Sequence, residues 1–341
     1  MDQLLAKLLS ASGVSGCEKE VSLLMQEYFK KSSQNVQIDN FGNVIAVKGS
    51  GKTKIMLAAH MDEIGLMAKY IDNSGFIYFI KIGGFDDRIL PGQRVVIKSK
   101  KGDITGIIGT RPAHLQKEEE KKSPLKHEDM FIDIGAKNKD DALGKVSLGD
   151  QIIFEPNCGC LGEDIYYGKA VDDRVGCYIL LKAFERINPR CQVYAVATAQ
   201  EEVGLKGART SSFRIDPDYA IAIDTTIAGD TPQVKENETE LKLGEGVAIT
   251  LIEASGRGII VSEKMKELLV NTAKDKNIKY QMSILDAGMT DGAMIYMNRE
   301  GVVTGVLSVP TRYVHAPSAV FSLKDVNCAI ELVVAAVEAI G

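Results

Sequence analysis

The stretch Cys191-Gln192-Val193-Tyr194-Ala195-Val196-Ala197-Thr198-Ala199-Gln200-Glu201-Glu202-Val203-Gly204 decides how this chain reads. Its first half is a short continuous run rich in β-formers, the pattern of a strand buried on both faces. The run delivers two adjacent carboxylates to the strand's C-terminal end, and Gly204 breaks it. In an open α/β sheet that end is where ligands bind. Neighbouring side chains on extended backbone point in opposite directions, so Glu201 and Glu202 can serve different tasks. One can ligate a metal while the other holds a water or a proton. An exposed acidic pair at a strand end is the plainer account of these two residues alone. The rest of the sequence weighs against it.

Working outward, strands and helices alternate. Glu18 to Lys31 has apolar residues at helical spacing, and Val36 to Val47 alternates around Asn40-Phe41-Gly42-Asn43 as a hairpin. Ile55-Met56-Leu57-Ala58-Ala59 is an apolar strand ending at His60. On the far side, Val175 to Ile187 reads as a helix and Tyr219 to Ile223 as a strand ending at Asp224. Val247 to Ile252, Met282 to Leu285 and Val302 to Leu307 read as strands. Ser262, an N-capping serine, opens a helix to Lys276, and Leu323 to Ile340 is the closing helix. This alternation predicts an α/β fold, a mostly parallel or mixed sheet flanked by helices. From about Met67 to Tyr166 the pattern changes to short alternating runs between turns such as Gly83-Gly84 and Pro91-Gly92. That stretch predicts a small all-β barrel or sandwich inserted into the chain, with the α/β domain in two pieces, 1–66 and 167–341. Within it, Gln116 to Pro124 is a mixed charge run, expected as a solvated loop.

The chemistry-bearing residues gather at element ends. His60 ends a strand, and Asp62, two residues on, can support its distal ring nitrogen, as carboxylates do behind metal-bound imidazoles. Asp172 and Asp173 precede a helix, Asp224 ends a strand, and His315 sits in a loop after one. A parallel sheet collects such positions in one crevice. His60, Asp172, Glu202, Asp224 and His315 supply three negative charges and two imidazoles, which two divalent ions and one bridging hydroxide would balance. Each residue alone is accounted for by a core histidine, a helix cap or a turn; their joint placement favours metal. His114 and His127 fall in or beside the charged run and are expected to be solvated.

Bulk properties narrow the classes. The chain has 341 residues, 45% hydrophobic and 26% charged, with net charge −5, so nucleic acid is not an expected partner. No apolar run approaches the roughly 20 residues of a membrane span, and the amphipathic Met1 to Leu9 lacks an export signal's apolar core. The expected location is the cytoplasm. Cysteines 17, 158, 160, 177, 191 and 328 are scattered and read as reduced thiols; Cys158-Gly159-Cys160 is too tight for the usual zinc or redox spacing. No Gly-x-Ser-x-Gly elbow or phosphate loop appears.

Ala58-Ala59-His60-Met61-Asp62-Glu63-Ile64-Gly65, Gly168-Lys169-Ala170-Val171-Asp172-Asp173-Arg174-Val175-Gly176, Gln200-Glu201-Glu202-Val203-Gly204, Asp224-Thr225-Thr226 and Arg312-Tyr313-Val314-His315 together resemble the M42 metallo-aminopeptidases. The resemblance runs in order along essentially the whole chain. It implies a fold of the dinuclear zinc-peptidase type, with 67–166 as a dimerisation domain and dimers assembling into dodecamers. It further implies zinc or cobalt, with manganese admitted, and short peptides as substrate. By the same resemblance His60, Glu202, Asp224 and His315 are terminal ligands, Asp172 bridges two ions, Glu201 is the general base and Asp62 orients His60. Ala287 to Gly292 resembles the family's Gly-Thr-Asp loop. Departures at Ala316-Pro317, Gly246-Val247 and Glu253 to Gly258 leave every ligand position filled and bear on substrate preference, where Arg257 is a candidate cation for an acidic side chain. Rival readings are an endoglucanase-type glycosidase using Asp62 and Glu201, as some proteins of this group have been labelled, and a non-catalytic peptide-binding assembly.

Overall fold

The structure, a computed structural model, describes residues 1–116 and 124–341. The charged run Gln116 to Pro124 therefore lies almost wholly outside the described residues. Helices α1 (Gln3–Ser10) and α2 (Lys19–Phe29) open the chain, followed by strands β1 (Asn35–Ile38), β2 (Val44–Lys48) and β3 (Lys54–His60). Next come β4 (Gly65–Ile71), β5 (Ile77–Ile82), β6 (Arg94–Ser99), β7 (Gly102–Gly109), β8 (Phe131–Asp133), the short helix α3 (Lys139–Leu143) and β9 (Gln151–Phe154). Then β10 (Cys158–Gly162), β11 (Ile165–Gly168), α4 (Val171–Arg186), β12 (Gln192–Thr198), α5 (Lys206–Ile215) and β13 (Tyr219–Ile227). The chain closes with β14 (Val247–Ile252), α6 (Glu263–Asp275), β15 (Tyr280–Ile284), α7 (Gly292–Ile295), β16 (Val303–Arg312), β17 (Ala319–Ser322) and α8 (Leu323–Ile340).

Two bodies result among the described residues. One is an 11-stranded mixed sheet in the order β1-β2-β12-β3-β13-β16-β17-β11-β10, with β14 on β16 and β15 on β14. Its centre, β12-β3-β13-β16, is parallel. The other is a closed six-stranded antiparallel barrel, β4-β5-β8-β7-β6-β9. The β3 sequence shows why its strand is apolar throughout. Ile55 and Leu57 pack into the core beneath α1, α4 and α8. Met56 and Ala58 pack on the other face with Ala208 of α5 and Ile295 of α7. A strand covered on both sides has no polar face to alternate with, and each such buried aliphatic side chain contributes about 1.5–3 kcal/mol. Barrel strands alternate instead: Ile77 and Phe79 point into the barrel core, and Tyr78 and Ile80 point away from it.

Local chemistry sets two of the helix starts, the one at Ser262 as expected. Asp2 accepts from Leu4 N at α1, and Ser262 accepts from Met265 N at α6. Several boundaries differ from the sequence reading, all through pairing that local pattern does not encode. β13 runs past Asp224 to Ile227 because β16 also continues, to Arg312, and stays in register with it. β17 was not expected; it folds back on the end of β16 and on β11. The strands β10 and β11 join the large sheet through β17, so by strand pairing the sheet resumes at Cys158, before residue 167.

Candidate functional site

The parallel strands end on one side and carry the candidate residues there. His60 is the last residue of β3, and Thr198, the last of β12, stands beside it in register. The loop carrying Glu201 and Glu202 therefore leaves the sheet next to His60. Asp224 lies three residues inside β13, opposite Ser308 of β16. Asp172 and Asp173 stand at the head of α4 with non-helical backbone, φ/ψ −79/110° and −118/47°. His315 lies in the turn between β16 and β17 at φ +58°, and Gln200, preceding the glutamates, sits at φ +57°. A left-handed conformation at a non-glycine residue costs about 1 kcal/mol or more, so surrounding contacts hold these turns in place.

Every residue expected at the site is brought into one cluster. Asp172 stands between the two imidazoles: its Oδ1 is 3.1 Å from His60 Nε2 and its Oδ2 is 3.3 Å from His315 Nε2. Glu202 Oε1 is 3.4 Å from His315 Nε2. Glu201 Oε2 and Asp224 Oδ1 each lie 3.9 Å from His60 Nε2. Asp62 supports the cluster from behind, with its Oδ1 3.5 Å from His60 Nδ1. Its carboxylate also accepts from the backbone N of Glu201 (2.9 Å) and of Glu202 (3.2 Å), and from Ser15 Oγ (2.6 Å). One buried carboxylate thus ties the imidazole's position to that of the two glutamates.

Burial and like charge set the electrostatics. Burial pushes the Glu201, Asp173 and Asp224 carboxyls well above the usual range, and neighbouring carboxylates push the same way. Glu202 is raised to about 7 by burial and by Asp172. Burial works in the same direction on Asp172, but hydrogen bonds from His315 and His60 overcome it and hold that carboxyl well below its ordinary value. Burial opposes charge on His315 as well, yet Asp172 and Glu202 raise it to about 9. So many acids in one buried crevice call for positive charge.

A divalent metal fits that demand. His60, Asp173 and Asp224 form one set of donor atoms lying within 4.8 Å of one another, and Asp172, Glu202 and His315 form another. Asp172 touches an imidazole of each set. Glu202 Oε1, Asp173 Oδ2 and Asp291 Oδ1 are buried with no hydrogen-bond donor, acceptor capacity that buried oxygens rarely leave unused. Imidazole nitrogen and carboxylate oxygen suit zinc, cobalt or manganese. These are candidate metal-binding groups.

Other contributors come from distant segments. Asp173 was visible only as half of an acidic pair; it is fully buried, and its Oδ1 accepts from Gly176 N at 3.0 Å. Asp291 accepts from Thr198 Oγ1 beneath the glutamate loop. Glu18 Oε1 accepts from Gly16 N (2.7 Å) and Gln200 N (3.1 Å), bracing that loop from the N-terminal segment. The barrel also reaches the site. At Gly83 (φ +82°) a Cβ would come within 3.3 Å of Glu202 Oε2, and Gly84 O is 2.5 Å from His315 Nδ1. Two expectations are corrected. His127 is not solvated: it is half-buried against the barrel, with Nδ1 3.1 Å from Asp87 Oδ2, while His114 is exposed as expected. Arg257 does not line the crevice; it is exposed, and its Nε donates to Ala254 O at 3.1 Å. All six cysteines are unpaired.

The cluster opens into a cavity of about 720 Å³ lined by His60, Asp172, Glu201, Glu202, Asp224 and His315, and further by residues of the 225–234 and 285–290 segments. No helix among the described residues is long and apolar enough to cross a membrane. A putative aminopeptidase of Acetivibrio thermocellus is 40% identical over 339 residues, covering 99% of this chain and 98% of the relative. The solved structure of an aminopeptidase from the archaeon Desulfurococcus kamchatkensis matches with a TM-score of 0.95 at 40% identity, covering 99% and 94% of the two chains. The Pyrococcus horikoshii TET1 peptidase, which can assemble into a tetrahedron or a large octahedral shell, matches with a TM-score of 0.89 at 32% identity over 98% of each chain. A family model described as M42 glutamyl aminopeptidase matches residues 42–332. That match takes in the barrel and every residue of the cluster described above, and the chain belongs to the M42 family of aminopeptidases.

Proposed function

We propose that this chain is a dinuclear metal-dependent aminopeptidase that releases N-terminal residues from short peptides. The observation that carries the reading is Asp172 set between His60 and His315, with Glu201 and Glu202 alongside. His60, Asp172, Glu202, Asp224 and His315 would hold two divalent ions, zinc or cobalt with manganese admitted, with Asp172 shared between them. Bound there, such ions lower the pKa of water and polarise a peptide carbonyl. Glu201 acts as the general base: its carboxylate takes a proton from the attacking water and hands it to the nitrogen of the departing amine. Asp62 keeps His60 and the two glutamates in register through the hydrogen bonds it accepts. Asp173 stands close enough to His60 and Asp224 to share in holding an ion.

Residues 1–66 and 167–341 form the catalytic part on this reading, and the inserted 67–166 region is the dimerisation domain. Dimers built on that region would assemble into a dodecamer; the shell-forming relative supports a large assembly, and the unpaired cysteines fit a cytoplasmic location. The test is a panel of aminoacyl-p-nitroanilides offered to EDTA-stripped protein before and after cobalt, zinc or manganese is restored. Metal-restored release from free-amine substrates and none from N-acetylated ones is the expected result. Cleavage of carboxymethylcellulose indifferent to chelator, with no peptide activity, sinks it.

A further inference from the structure

Resting on that reading, we infer that the cavity seats a neutral, apolar N-terminal side chain and rejects an acidic one. A peptide whose scissile carbonyl and free amine face the cluster must send its first side chain away from it. On the barrel side the way is closed where His315 Nδ1 meets Gly84 O. The remaining wall carries the large apolar side chains of Leu205, Ile227, Val234, Leu285, Met289 and Val314, interspersed with threonines and Tyr313 that bring no charge, and no lysine or arginine is among the described residues that line it. Ile227 and Met289 are 53% and 48% exposed, apolar surface at the mouth that a substrate side chain would cover.

Glu253 belongs to the same wall but is wholly buried. Both its oxygens are engaged by Thr290, Oε2 by the backbone N (3.1 Å) and Oε1 by Oγ1 (2.8 Å). It anchors the Ala287–Thr290 segment as a fixed wall and adds negative charge behind it, without offering a free oxygen at the surface. An acidic side chain would thus enter a space bordered by Glu201, Glu202, Asp172, Asp224 and Glu253, with no lysine or arginine to repay its lost hydration and with His315 already engaged by Asp172 and Glu202. Two divalent ions held by Asp172, Glu202 and Asp224 would already be matched by those three carboxylates together with the neighbouring Glu201. A lysine fares better, since its stem can lie along the apolar wall, but its ammonium finds no open carboxylate there. A leucine-sized side chain gains fully from burial. The preference expected is apolar over basic over acidic, although the family description names glutamyl substrates.

The metal-loaded enzyme is assayed with leucyl-, methionyl-, lysyl-, glutamyl- and aspartyl-p-nitroanilide. Leucyl or methionyl kcat/KM is expected to exceed glutamyl by at least about 100-fold, with lysyl between. Glutamyl or aspartyl activity equal to or above leucyl overturns the inference. Ile227→Lys, at the exposed end of β13, should raise the glutamyl-to-leucyl ratio by about tenfold or more, and Met289→Lys is the second variant should the first not fold. An unchanged ratio in a folded variant overturns the assignment of this wall to the first side chain. Thermal-shift titration of the same protein with free L-leucine and L-glutamate separates the two readings. Stabilisation by leucine alone, with no substrate cleaved, would leave the pocket assigned and the aminopeptidase reading rejected; stabilisation by glutamate alone would reject the pocket.

Discussion

Two buried charge clusters stand back to back on the same stretches of chain. His60 and Asp62 belong to the site, whereas Glu63 turns to the other side and meets Lys169 and Arg174. There every group is answered. Glu63 takes hydrogen bonds from Lys169 Nζ (2.8 and 3.0 Å), Arg174 Nη2 (3.3 Å) and Gly13 N (3.0 Å). Arg174 spends its remaining donors on Met61 O, Leu8 O and Ala11 O, tying α1 to the site's underside. In the site cluster the acids outnumber the cations, and three buried oxygens lack a donor. A balanced network holds a fold together, and an unbalanced one holds something that the chain itself does not supply.

The largest effect expected is on the unbalanced side. Glu201→Gln should lower turnover by about 10²–10⁴-fold, while bound metal measured by plasma mass spectrometry stays unchanged. A parallel loss of metal would make Glu201 a ligand and would redraw the division of labour between the glutamates. On the balanced side, Glu63→Gln leaves two buried cations short of a partner and should cost about 3–5 kcal/mol in urea unfolding. Asp325 sharpens the contrast, being a buried carboxylate held by backbone N–H groups of Gly244 and Gly246, both at 2.7 Å. Burial raises it from 3.8 to about 6, so its neutral form favours the fold. Its contribution is intact below about pH 4 and is lost as pH rises through 6, amounting to about 2–3 kcal/mol. Unfolding of wild type against Asp325→Asn at pH 4 and pH 7 should therefore diverge in the variant's favour at the higher pH. The smallest effect carries the opposite sign to that at Glu63. In metal-stripped protein Glu202→Gln relieves crowding among acids and should stabilise by about 1–2 kcal/mol. A loss there as large as at Glu63 would erase the distinction between the clusters.

Much of this is legible in the sequence. The apolar runs ending at His60 and Thr198, the N-cap at Ser262 and the turn-punctuated barrel are local signals, and each produced its element. Residue types at the ends of strands and helices are enough to nominate His60, Asp172, Glu201, Glu202, Asp224 and His315. Contacts spanning long separations were not legible. Nothing near Glu18 announces that it braces a loop 182 residues later at Gln200, and nothing near Ser15 announces its bond to Asp62, 47 residues on. His127 looked solvated because its neighbours in sequence are charged, while its partner, Asp87, comes from 40 residues away.

The sequence by itself determined the kinds of element and the chemistry each carries to its end, because strand and helix periods and caps depend on neighbours within a few residues. Only the tertiary structure decided which acids are answered and which are left over, and that Arg257 faces away while Ile227, Leu285 and Met289 face the cavity. Those outcomes depend on the register between strands. A shift of one residue there sends every side chain to the opposite face, and no local run of residues records which alternative the packed sheet selects.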